Sequence, residues 1–155
     1  MRASSIPVAH TPQGGYGTVM PPPVLAGCTE PLADGAPDLR GVWAAVSVEV
    51  DGRPAPDHPA LRHVERIEQC GDRLVVTAGG VIHDMRCDGT EEHGVRDVAE
   101  FDFATPITVV ATFEDGVHVL RPVGRFWIVG ITRNPRMRQR DHGISAELDD
   151  PGHYP

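Results

Sequence analysis

Five pairs of turn-forming residues, Asp51-Gly52, Gly71-Asp72, Gly79-Gly80, Asp88-Gly89 and Asp115-Gly116, cut the middle of this chain into runs too short for ordinary helices. Asp and Gly tolerate the positive φ that tight hairpin turns demand, so the runs between them read as strands. The runs are 41–51, 63–69, 73–78, 81–87, 95–103, 107–113, 117–123 and 125–133, each alternating or rich in β-branched residues. In the first, Val42, Ala44, Val46, Val48 and Val50 share one face and Trp43, Ala45, Ser47 and Glu49 the other, as a period of two requires. Three prolines between 54 and 61 allow at most a short helical turn there, and Thr105-Pro106 marks the break between the fifth and sixth runs. Eight consecutive short strands joined by tight turns make a sandwich or a barrel. Closure removes both sheet edges, and an eight-stranded barrel has room inside for side chains or one small ligand. The predicted fold is therefore all-β, an antiparallel up-and-down eight-stranded barrel over residues 38–133.

The flanks carry no such pattern. Residues 1–37 contain Pro21-Pro22-Pro23 and neither helical nor strand periodicity, which predicts a disordered leader. Leu25-Ala26-Gly27-Cys28 resembles a bacterial lipobox, but glycines and prolines interrupt the apolar stretch that a signal peptide needs before it. Residues 134–155 lose alternation and read as a disordered tail. A length of 155 residues suits one domain. The charge of −8 argues against general nucleic-acid or anionic-membrane binding, and no apolar run is long enough to span a bilayer. Fourteen arginines and no lysine, with abundant Ala, Gly and Pro, point to GC-rich coding of a bacterial kind.

Asp38-Leu39-Arg40-Gly41-Val42-Trp43, opening the first strand, resembles the Gly-x-Trp signature of the lipocalins and their calycin relatives. The Asp-Gly hairpins that follow, with Arg66-Ile67-Glu68-Gln69-Cys70-Gly71-Asp72, are also similar to the fatty-acid-binding proteins. The resemblance implies a ligand-binding barrel in which the Trp43 indole plugs one end beneath an Arg of the last strand, Arg125 or Arg133. Haem-binding nitrobindins continue Gly-x-Trp with glycines where this chain has Ala44 and Ala45, so no cofactor is expected.

Alternation puts Val81, His83, Met85 and Cys87 on one face of their strand, opposite Ile82, Asp84 and Arg86. His, Met and Cys are soft ligands of the type copper uses, with His118 as a further donor, but such sites gather ligands from several loops, and polarizable cavity lining or plain core is the preferred reading, so no metal is expected. Ala99, Phe101 and Phe103, with Ile107, Val109, Ala111 and Phe113, should form an apolar wall facing them. The predicted ligand contacts are accordingly Trp43, Met85, Phe101, Phe103 and Phe113, with His83 as the polar anchor. Asp84, Arg86, Arg96, Glu100 and Asp102 read as cross-strand ion pairs on the solvent side, and His63 with Glu65 as surface. Three cysteines, Cys28, Cys70 and Cys87, without metal-finger spacing argue against a disulfide framework and for a reducing cytoplasm. No nucleophile elbow or phosphate-cradling loop occurs. The arginines from 121 to 140 form a basic flank answering the acidic remainder.

The expected function is binding of an apolar or mixed-polarity small molecule inside the barrel, with no catalytic residue assigned. A small cyclase or isomerase acting through His83 in the same pocket, and a filled barrel used as an interaction module, are the alternatives. A homodimer is expected if the run 125–133 fails to pair back onto the first strand.

Overall fold

The computed structural model describes residues 1–100 and 102–124, and beyond them the strand backbone of 132–133, 138–141 and 144–149. In chain order the strands are β1 (Gly41–Val50), β2 (Arg53–Pro54), β3 (Val64–Cys70), β4 (Arg73–Ala78), β5 (Val81–Arg86), β6 (Val95–Ala99), β7 (Asp102–Glu114), β8 (Val117–Pro122), β9 (Thr132–Arg133), β10 (Arg138–Asp141) and β11 (Ile144–Asp149). Short 3-10 turns occupy Ala3–Ser5 and Pro59–Arg62. The fold is all-β and antiparallel, as predicted, but it is not a closed barrel. One sheet runs β10-β11-β1-β3-β4-β5 with β2 beside β1, and a second runs β6-β7-β8-β9.

The two sheets part where the chain leaves β5. At its end Arg86 N–H donates to His93 O at 2.8 Å, residues 87–94 loop out, and no ladder joins β5 to β6. β5 nevertheless lies against β6, and β9 against β10, so the strands follow one another around the core in chain order. The expected tail supplies the strand that lies on β1: Ile144 pairs with Val50 and Asp149 with Ala44, which corrects the assignment of residues 134–155 as unstructured. Pairing onto the first strand thus comes from a segment later than the run 125–133, most of which is outside the described residues.

Local chemistry explains the turns. Asp51 (φ 51°) with Gly52 (φ 78°), and Asp115 (φ 50°) with Gly116 (φ 74°), hold the paired left-handed conformations of two-residue hairpins. Two boundaries differ from the sequence reading. β7 runs straight through Thr105-Pro106, because Pro106 sits opposite Val98 beyond the point where β8 has ended, and a missing N–H is tolerated at such an edge. In β1 a register shift between Ala45 and Ser47 breaks the alternation, leaving Val46 56% exposed and Val48 only 3%.

Between the sheets lies the main core: Leu39, Trp43, Ile67, Leu74, Val76, Met85, Val95, Ile107, Val109, Ala111 and Leu120 are all buried. A second, smaller core lies on the other face of β3 to β5. There Val75, Ile82 and Cys70 pack against Ala3 and Leu25, with Ile6, Ala9, Tyr16, Val24 and Cys28 around them. The segment expected to be a disordered leader is therefore a strap laid across a sheet. It is irregular, as its prolines demand, but its main-chain groups are met by charged side chains beneath it.

Candidate functional site

Arg73 and Asp84 face each other on the strap side of β4 and β5, with side chains 4% and 1% exposed. They form a bidentate pair, Nε to Oδ1 at 2.8 Å and Nη2 to Oδ2 at 2.5 Å. Burying two charges is costly unless every remaining donor and acceptor is satisfied. The strap satisfies them: Arg73 also donates to the carbonyls of Ala3, Ile6 and Pro7, and Asp84 accepts from Ala9 N–H at 2.8 Å. Asp97 accepts from Thr11 N–H, while Glu68 takes Val24 N–H and Leu25 N–H. Asp84 thus belongs to a buried pair with Arg73, correcting its placement on the solvent side. The other predicted ion pairs also re-partner: Arg86 binds Asp72 at 3.0 Å, Arg96 approaches Glu91, Asp102 accepts from Thr105, and Glu100 faces His63.

Where the strap passes over the seam between β5 and β6 it leaves a cleft of about 410 Å³. Ala3, Ile6, Val8 and Ala9 wall it on one side, and Met85 and Val95 floor it. Both floor residues belong to the core between the sheets. Polar groups stand around the apolar lining: His10 beside Asp97 at 3.6 Å, His93 bound through Nδ1 to Asp88 at 2.6 Å, and Arg86.

A second recess, of about 330 Å³, lies at the Gly79-Gly80 hairpin between Tyr16, Met20, Arg62, His63 and Phe103. His63 is 13% exposed and sits between two carboxylates, with Nε2 3.1 Å from Glu65 and Nδ1 3.2 Å from Glu100. Glu65 is only 1% exposed, because its place in the register is between Trp43 of β1 and Ala78 of β4, on the inner face. Burial works against a charged ring, but the attraction of Glu100 and then Glu65 outweighs it and lifts the His63 pKa to about 9. His63 and Glu65 are therefore a charged, largely buried pair, correcting their assignment as surface. The sequence signal was the carboxylate itself, at an inward position of the alternation.

The predicted ligand set does not converge on one site. Trp43 is buried in the core, its indole N–H donating to Leu39 O at 2.8 Å, and Met85 floors the cleft. His83 donates through Nε2 to Val98 O at 2.8 Å. Phe113 packs on the core with its ring tilted against His118, the centroids 5.9 Å apart. Phe103 faces elsewhere: its ring fills the space that a Cβ at Gly15 or Gly80 would occupy, in the second recess. The chain reverses after Ala99, with Ala99 opposite Asp102, so Phe103 belongs to the very start of β7, beside the Gly79-Gly80 hairpin. Phe101, Arg125 and the Arg133 side chain lie outside the described residues. Arg121, the first of the arginine-rich stretch, pairs with Glu114 at 2.8 Å.

Cys28 and Cys70 are joined in a disulfide, which corrects the reading of unpaired cysteines, and Cys87 is buried as a thiol. Among the described residues, the one gathering of three potential metal donors is Cys28, Glu30 and Cys70, and its two sulfurs are bonded to each other. No helix among these residues is long and apolar enough to cross a membrane. Comparison with protein-family models, with curated proteins and with solved structures finds no match.

Proposed function

We propose that this chain is a lipocalin-like binder of a small molecule of mixed polarity, received in the cleft between the strap and the seam of β5 and β6. One observation carries the reading: a cleft of about 410 Å³ whose floor, Met85 and Val95, is continuous with the core between the sheets. Its size falls within the roughly 300–1,000 Å³ of ordinary small-molecule sites. Its character fits as well, since the apolar floor and wall would take a hydrocarbon or ring while His10, His93 and Asp97 at the rim orient a polar end. The cyclic succession of antiparallel strands around one core supports the likeness to lipocalins, with the seam as the point of access. The disulfide weighs toward an oxidising compartment over the cytoplasm expected from cysteine count alone.

Native mass spectrometry of the purified protein, with an absorption spectrum of the same sample, tests this reading. The expected result is a bound species of a few hundred daltons, or a thermal shift with members of a panel of amphipathic small molecules. Val8→Trp should abolish that binding, since Val8 walls the cleft yet is 57% exposed and dispensable to the core. An apo mass with no shift across the panel, or binding indifferent to Val8→Trp, would overturn the site.

A further inference from the structure

The strap is fastened beside the cysteines. Glu30, two residues after Cys28, accepts Ala3 N–H at 2.9 Å, while Thr29 N–H donates to Met1 O at 3.1 Å and Thr29 Oγ1 accepts from the amino terminus at 3.3 Å. Residues 28–30 are thus the platform on which residues 1–3 sit, and Ala3 is part of the wall of the cleft. The platform itself is joined to the sheet by the bond from Cys28 to Cys70 at the end of β3. Cys28 is half-buried and Cys70 only 2% exposed, so Cys28 Sγ is the sulfur an incoming thiolate reaches.

We propose that the Cys28–Cys70 disulfide is a reducible latch, a site of attack by a dithiol reductant whose opening lifts the strap from the cleft. The exchange balances within the two partners. A thiolate of the dithiol attacks Cys28 Sγ, the S–S bond breaks, and Cys70 leaves as a thiolate that takes up a proton. The second thiol of the reductant then displaces Cys28, giving a cyclic disulfide and two protein thiols. With Cys28 free, the Thr29 and Glu30 contacts lose their covalent tether, and residues 1–11 remain held by hydrogen bonds to Arg73, Ile82, Asp84 and Asp97 and by their own packing. The latch rests on the proposed binding only for what the opening admits.

Hydrogen exchange on the full chain decides it, with dithiothreitol as the reductant and Cys28→Ser/Cys70→Ser as the permanently open form. Ser5, Ala9 and Thr11 donate their amides to Arg2 O, Asp84 and Asp97, so these amides report on the strap. They should exchange at least tenfold faster after reduction, and in the double variant, while β4 and β7 keep their protection. Equal protection of the strap in both states would overturn the latch, and so would joint loss of protection by strap and sheets, which would make the bond a staple of the whole fold. A disulfide that survives the reductant by intact mass overturns it too. The exchange measurement involves no ligand, so its failure leaves the binding reading standing, and an apo protein leaves the latch intact.

Discussion

At the scale of single residues, His63 and Glu65 carry the clearest electrostatic consequence. The folded-state pKa of His63, about 9, lies above its ordinary 6.5, so folding holds the proton on the ring. The stabilisation is complete below about pH 6.5 and is lost as pH rises through about 9. Its ceiling is on the order of 3 kcal/mol, at about 1.4 kcal/mol for each unit of pKa. Urea denaturation across that window should show stability falling with pH, and Glu65→Gln should flatten the slope. The same substitution should cost about 1 to 2 kcal/mol at pH 6.5, within that ceiling, because it removes one of the two carboxylates that face the buried imidazolium. A pH slope unchanged by Glu65→Gln would mean that Glu100 alone holds the proton. Gly80 offers a second test at this scale. Its φ of 87° disfavours any side chain, and a Cβ would come within 2.6 Å of the Phe103 ring. Gly80→Ala should therefore destabilise by about 1 to 3 kcal/mol, measured by thermal denaturation, even in a hairpin.

At the scale of elements, the strap and the β4–β5 hairpin depend on one another. Arg73 answers three strap carbonyls and one buried carboxylate, so Arg73→Met should cost about 3 to 5 kcal/mol and make residues 1–27 sensitive to limited proteolysis. Arg73→Met/Asp84→Leu should cost less than the single change, since no charge is then left buried alone. Equal costs for the single and double variants, together with a protected strap, would show that packing by Ala3, Ile6 and Leu25 holds it unaided. The strands themselves were legible in the sequence, Arg73–Ala78 to the residue, because turn chemistry and alternation act within a few positions. The strap was not. Proline-rich segments without periodicity look alike whether they are free or laid on a surface. What orders this one is a set of side chains on β3 to β6 that its own sequence does not contain.

At the scale of the whole molecule, the closing strand β11 and the disulfide decide how the fold holds together. Ending the chain before Ile144 would leave most of β1 without a partner on one side, and the truncated protein should aggregate or fail to fold, as judged by size-exclusion chromatography. The bond between Cys28 and Cys70 closes a loop with a sequence separation of 42, worth about 4 kcal/mol in the chain-entropy account. Reduction should therefore split thermal unfolding into two steps, strap before sheets, visible by calorimetry. Residue order alone determined the all-β class, the hairpins and the core-facing positions Met85 and Cys87 after β4 and Ile107, Val109 and Ala111 of β7, since each follows from preferences acting over a few neighbouring positions. Tertiary structure decided which charges meet, that the ladder breaks between β5 and β6, that Cys28 finds Cys70, and that Arg73 binds a carbonyl 70 residues away at Ala3. These are matters of where distant segments come to rest, and burial selects among partners that local sequence leaves equivalent.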